Sequence, residues 1–226
     1  MATFIGAIIE TKGAPNFWAL AAAHGVQPTP GGPTPPAVPP TLLVECALSL
    51  SALGLPAFAQ PLSAALGGEV VAVAVQTTGC TAAFVTYQNG VQLRRLEYIA
   101  DSGGWVTIEG APQAWEPAAF FDPAATTDPR QADAPWPDLL RDELSDADLA
   151  RYEAARAAGD PSAVLDLLHA DSAGPVLRLC AHFGVDPRAP DARWATKRTW
   201  RWMAAAALIA VLVLWAGAFW LGWSSR

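Results

Sequence analysis

The sequence predicts an α+β fold: a small antiparallel sheet (a meander) with helices on one face, then a short helical module and one C-terminal transmembrane helix. Valine-rich runs separated by tight turns between residues 69 and 109 predict the sheet. Helix-capping residues between 145 and 184 predict the module, and an uncharged apolar run predicts the membrane span. The expected boundaries are an α+β cytoplasmic domain at 1–121, a linker at 122–137, the helical module at 138–184, a basic juxtamembrane linker at 185–201 and the transmembrane helix at 202–223.

The sheet is predicted from five runs of strand-forming residues. The first run, Thr3–Ile9, is apolar and β-branched, as buried strands are. Four more follow at Glu69–Val75, Thr81–Tyr87, Val91–Tyr98 and Trp105–Glu109. Asn89-Gly90 suits a type I′ hairpin turn and residues 101–104 form a second tight turn, so these four runs make an antiparallel meander. Apolar alternation fails at Arg94-Arg95, which predicts a bulge or an edge strand there.

The first domain also contains predicted helices. Phe17–His24 is a short helix that ends at Gly25. Residues 27–40 are rich in proline, glycine and threonine and form an extended surface loop. Residues Thr41–Leu66 are almost entirely apolar and are interrupted by glycine and proline, which predicts two short buried helices.

Three helices are predicted in the module that follows the linker. They cover 146–158, 161–170 and about 172–184. Ser145 opens a capping box for the first, and Gly159 ends it. Asp160-Pro161 supplies the N-cap and first turn of the second, and Gly184 ends the third. Because so short a module buries a marginal core, we expect it to lean on the first domain or on a partner.

The C-terminal run has the length and composition of a transmembrane helix. About 20 apolar residues are needed to cross the hydrocarbon core, and 202–223 supplies them. The expected membrane-interface residues are Trp200, Trp202, Trp220 and Trp223, and the expected topology-setting basic residues are Arg193, Lys197, Arg198 and Arg201. Because the basic residues precede the helix, the body is predicted to face the cytoplasm from the inner membrane, in a tail-anchored, single-pass topology.

Composition limits the partners. The net charge is −7, and the residues before Gly184 carry about −11 of charge against about +4 after it. So acidic a body argues against nucleic-acid binding, which needs a cationic surface. The expected partners are membrane lipid, through the C-terminal helix, and a protein of unknown identity. Small residues such as Ala206 and Ala210 would also permit a homo-oligomer through the helix.

The sequence contains no nucleotide-binding, zinc-protease or serine-hydrolase motif, so it predicts no cofactor, metal or catalytic residue. Cys180 and His182, with His169 upstream, lack the spacing of a zinc site. Cys80 lies among small polar residues at a strand start, which leaves a thiol nucleophile open, although a turn cysteine without a catalytic role is commoner. Cys46, Cys80 and Cys180 are widely spaced, and a cytoplasmic body would keep them reduced, so we expect them to act as small buried apolar residues. A composition rich in alanine, proline and arginine with almost no lysine is typical of a GC-rich bacterial genome.

Four residues of the meander form a candidate interaction surface: Arg94, Arg95, Trp105 and Trp115. Arginine and tryptophan are enriched at binding hot spots, but the arginines could equally protect a sheet edge and the tryptophans could cap the sheet. The leading hypothesis is therefore a non-enzymatic, membrane-tethered interaction or regulatory module. The alternatives are a membrane-bound enzyme with an unrecognised site, and a sensor or effector whose transmembrane helix oligomerises to perturb the membrane.

Overall fold

The computed structural model describes residues 3–31, 38–46, 55–121, 144–168, 170 and 174–194. All of them belong to one compact unit, Met1–Trp194. The predicted transmembrane helix lies outside these residues, as do Trp200, Trp202, Trp220, Trp223, Lys197, Arg198 and Arg201. None of the helices within the described ranges combines the length and the apolar character that crossing a bilayer requires.

The fold is α+β and is built on one mixed sheet of eight strands. The strands are β1 (Thr3–Glu10), β2 (Val26–Pro28), β3 (Thr41–Cys46), β4 (Glu69–Gln76), β5 (Thr81–Gln88), β6 (Val91–Ile99), β7 (Gly104–Gly110) and β8 (Ala192–Trp194). Their order across the sheet is β2-β8-β3-β1-β4-β5-β6-β7. The expected meander is confirmed as β4–β7, in which each strand pairs antiparallel with the next.

The described residues also form five α-helices and two 3-10 segments. The α-helices are α1 (Phe17–Ala23), α2 (Ala59–Leu66), α3 (Glu116–Phe121), α4 (Asp146–Ala158) and α5 (Gly174–His182), and the 3-10 segments are Ala100–Ser102 and Pro161–Leu167. The caps of α4 are confirmed, because the Ser145 side chain accepts from the backbone of Asp148 and Gly159 is left-handed at φ 66°. Asp160 also caps as expected, but the segment after it is 3-10 rather than α, with a kink at Val164.

The prediction that helices cover only one face of the sheet is wrong. Alternate residues of β4 belong to two separate cores, Val71, Val73 and Val75 in one and Val70, Ala72 and Ala74 in the other. The first core includes residues of α3, α4 and α5, and the second includes residues of α1 and α2. We name these the α3–α5 face and the α1–α2 face. A central strand that is buried on both sides reads as a continuous apolar run, which is what β4 shows.

The prediction of a first helix within Thr41–Leu66 is also wrong, because Thr41–Cys46 is the strand β3. It pairs antiparallel with β1, with Leu43 opposite Ile8, and the chain from 47 to 54 lies outside the described residues. A short apolar run is compatible with either a strand or a buried helix. Here the run is a strand because it pairs with the free edge of β1. The second helix is confirmed as α2.

The segment predicted as a basic linker, 185–201, contributes the strand β8. It lies between β2 and β3, antiparallel to the first and parallel to the second. The Asp191 carboxylate accepts the backbone N–H of Leu43 at 2.9 Å, and Arg193 forms a half-exposed ion pair with Glu45 at 3.5 Å. These contacts hold residues 191–194 in the sheet, so Arg193 belongs to the folded body rather than to a linker. The domain boundaries as a whole remain a prediction.

Candidate interaction site

The meander ends in an exposed edge strand. β7 is the last strand of the sheet, and no described strand pairs with its outer side. Val106 and Ile108 on β7 are 45% and 50% exposed, among the few large apolar side chains in the described residues that face solvent. Edge strands are commonly protected from pairing with another chain by lysine, proline, other charged side chains or bulges. β7 has no lysine or proline, but it carries one carboxylate, Glu109, and one bulge. Its outer backbone groups have no described strand partner and are available to a further strand.

A bulge shapes the start of β7. Tyr98 lies opposite Trp105 and Glu97 lies opposite Thr107, so Val106 is the extra residue on the edge strand. Bulges bend a strand and increase its twist, and they are common beside functional sites. A second register shift, between β5 and β6 beside Arg94, confirms the bulge expected there.

A groove of about 470 Å³ lies beside this edge. Its lining residues are Tyr98, Ala100, Gly103, Gly104, Trp105, Ile108, Asp166 and Leu168. The Trp105 indole is fixed in place, because its Nε1 donates to the backbone carbonyl of Leu168 at 2.9 Å. The same ring meets Tyr98 edge-to-face at 5.4 Å and Phe120 at 5.7 Å between centroids. The groove therefore has a rigid aromatic wall, part of which is accessible.

The charge beside this groove is acidic. The Asp166 side chain is 63% exposed, and its Oδ1 forms an ion pair with Arg151. Arg151 is also held by Asp148 at 3.6 Å and by the backbone carbonyl of Ala163 at 3.2 Å. Asp101, just before β7, is also exposed, whereas Glu109 lies opposite Arg95 and belongs to the other face of the sheet. A positively charged ligand would be attracted to the carboxylates of Asp166 and Asp101.

The opposite face of β6 and β7 carries a separate polar cluster. The Arg95 guanidinium donates to Glu97 at 2.6 Å, and the Thr107 hydroxyl donates to the same carboxylate at 2.7 Å. Burial alone would raise the pKa of Glu97, but the hydrogen bonds from Thr107 and Arg95 outweigh it and hold that pKa below its ordinary value. Arg95 is thus accessible, but it is not part of the groove.

Arg94 does not lie on a surface. Its side chain is 2% exposed, and its Nε and Nη2 contact the two oxygens of the Glu116 carboxylate at 2.9 and 3.0 Å. Its other donors reach the carbonyl of Gly110 at 2.6 Å and the hydroxyl of Ser162 at 2.7 Å. The backbone N–H of Gln113 also donates to Oε1 of Glu116, at 2.7 Å. Burial raises the pKa of Glu116, while the bonds from Arg94 and Gln113 oppose that rise.

Trp115 is also buried, at 1% exposure, and its Nε1 donates to the hydroxyl of Thr86 at 3.0 Å. Of the four residues in the predicted interaction surface, Arg94 and Trp115 are therefore interior residues. Trp105 lines the groove, and Arg95 lies on the other face of the sheet. An apolar alternation that slips at two arginines fits a buried ion pair as well as an edge, which is why the sequence misplaced Arg94.

All three cysteines are free thiols. Cys80 has a positive φ of 45° in the turn before β5, and its thiol contacts the carbonyl of Thr77 at 3.5 Å. Cys46 and Cys180 are buried, and this burial raises the pKa of each thiol to about 12, with smaller contributions from Glu45 and Asp186 respectively. Within the described residues no group of histidine, cysteine and carboxylate side chains could hold a metal ion, and His169 lies outside them.

No protein-family model matches this chain, and neither a curated protein nor a solved structure is significantly similar to it. The assignment of a function therefore rests on the geometry and chemistry of this chain alone.

We predict that Arg94→Gln lowers the free energy of unfolding by about 3–5 kcal/mol, because it leaves the Glu116 carboxylate buried and unpaired. The matched control is Arg95→Gln, at the next position in the chain. It breaks the ion pair with Glu97, in which the arginine side chain is 40% exposed rather than buried. That change should cost at most about 1 kcal/mol. Urea unfolding followed by circular dichroism measures both. Equal losses for the two variants would contradict the structural role given to Arg94.

We predict that one of the three thiols reacts with Ellman's reagent in the native protein at about pH 8, and that all three react in denaturant. The reactive thiol is Cys80, so Cys80→Ser abolishes the native reaction. Because folding raises the pKa of Cys46 and Cys180, the unfolded chain releases these protons first, and the free energy of unfolding falls as pH rises from about 9 to about 12. Rapid reaction of all three native thiols would contradict this burial.

Proposed function

We propose that this chain is a tail-anchored inner-membrane protein whose N-terminal body faces the cytoplasm and binds a protein partner at the β7 edge. The anchor is the apolar run 202–223, which has a length that matches the hydrocarbon core and no charged side chain. Lys197, Arg198 and Arg201 precede it and favour a cytoplasmic body. Self-association through the same helix is a further proposal that rests on its small residues.

The observation that carries the binding part of the proposal is the pair of apolar side chains exposed on the edge strand beside the groove. Val106 and Ile108 lie on a strand whose outer backbone has no described strand partner, and Trp105 offers a fixed aromatic wall next to them. Exposed apolar side chains around an aromatic anchor are typical of a protein-binding surface. An enzymatic role has less support, because Cys80 contacts a backbone carbonyl rather than a general base.

The anchor is tested by fractionation. The full chain should stay with membranes in alkaline carbonate and enter solution only with detergent, whereas a chain truncated before Trp200 should be released by carbonate. In sealed vesicles with the cytoplasmic side out, added protease should digest the body. Release of the full chain by carbonate, or protection of the body from protease, would contradict the proposed anchor or its orientation.

The binding surface is tested by photo-crosslinking of the full chain in cells. A photoreactive amino acid at Ile108 should yield a discrete adduct with one protein. The control position is Val91, which is also on a strand and is 61% exposed, but does not line the groove. Adducts of the same mass and yield from both positions would show that the β7 edge is not a specific surface.

A further inference from the structure

We propose that the occupant of the β7 edge is an extended basic segment of a partner protein, which pairs with β7 as an additional strand and places an arginine in the groove beside Asp166. This inference rests on the proposed function and names the chemistry of its partner. Three features of the described residues support it: the open backbone edge, the shape of the groove and the sign of the surrounding charge.

The open edge selects an extended partner. β7 has seven residues and forms one end of the sheet, so the outward N–H and C=O groups of Gly104–Gly110 have no strand partner within the described residues. Peptides add to such edges through main-chain hydrogen bonds, while neighbouring pockets select side chains. The groove lies beside this edge, and Ile108 belongs to both. A strand paired with β7 would therefore bring one side chain to the groove.

The groove selects a long cationic side chain. Trp105, Ile108 and Leu168 offer apolar and aromatic contacts to a methylene stem, and Asp166 lines the same groove. Arginine buries its stem along apolar surface, stacks on aromatic rings and pairs with carboxylates. Within the described residues Arg151 contacts Oδ1 of Asp166, which leaves Oδ2 for a ligand. A cavity of about 470 Å³ is large enough to take such a side chain.

Charge argues for a basic partner rather than a second copy of this chain. The net charge is −7, Asp166 lines the groove and Asp101 is exposed just before β7. Two copies meeting at β7 would bring these carboxylates together, and like charges facing each other across an interface oppose association. A segment that carries arginine would instead neutralise them.

The test uses the full chain in detergent micelles and a fluorescent peptide of about nine residues in which arginine and valine alternate. We expect this peptide to bind and to slow amide exchange at Gly104–Gly110. A peptide of alternating glutamate and valine should not bind. Ile108→Lys should weaken binding at least about tenfold by removing an apolar contact and adding a like charge. Val91→Lys makes the same change of charge away from the groove and should leave affinity within about twofold.

A second pair of variants isolates the carboxylate. Asp166→Asn should weaken binding about three- to fivefold, which is the strength of one partly exposed ion pair. Arg151→Gln breaks the same internal ion pair but keeps the carboxylate, so its affinity should be unchanged or higher. Equal weakening by both variants would show that Asp166 acts only through its pair with Arg151.

The inference is overturned if the glutamate peptide binds as well, if Ile108→Lys behaves like Val91→Lys, or if phosphatidylglycerol added to the micelles, rather than the peptide, slows exchange at Gly104–Gly110. If one of these results is obtained while the full chain still resists carbonate and still crosslinks specifically at Ile108, only this inference is contradicted and the proposed function stands. Loss of membrane association would remove the proposed function itself.

Discussion

The buried ion pair between Arg94 and Glu116 is the constraint on which the arrangement of the α3–α5 face depends. One guanidinium joins four parts of the chain, because it contacts α3 through Glu116, the end of β7 through Gly110, the 3-10 segment through Ser162, and belongs itself to β6. Such a pair is costly to bury, and the cost is offset only when its hydrogen bonds are satisfied. Gly110 is required at its position, since a Cβ there would approach the Leu93 carbonyl oxygen to 1.8 Å.

The proposed binding surface is a consequence of that arrangement. The pair holds the 3-10 segment against the sheet, and the carbonyl of Leu168 just after this segment holds the Trp105 indole. Trp105 therefore stands as a fixed wall where the helical layer ends, and Val106 and Ile108 remain exposed beside it. An interior network, through a few rigid contacts, thus sets the shape of a groove at the edge of the sheet.

Local patterns in the sequence predicted much of the fold. The four strands of the meander, the bulge beside Arg94 and the caps of α4 each follow from residues close together in the chain. The strands β3 and β8 were not predicted because they form through contacts between residues distant in sequence, such as the hydrogen bond from the backbone of Leu43 to Asp191. Of the residues that line the groove, the sequence singled out only Trp105, because the positions of Ile108 and Asp166 depend on which strand forms the edge and on where the 3-10 segment packs. The pattern of apolar residues along the chain does not show which strand is at the edge or which helical segment packs beside it.

The most direct test of this account is amide hydrogen exchange of the full chain without a partner. The outward amides of Gly104–Gly110 should exchange orders of magnitude faster than those of Thr81–Gln88, which are paired on both sides in the middle of the sheet. Equal protection of the two strands would mean that another part of the chain already occupies the β7 edge. The surface on which the proposed function depends would then not be available to a partner.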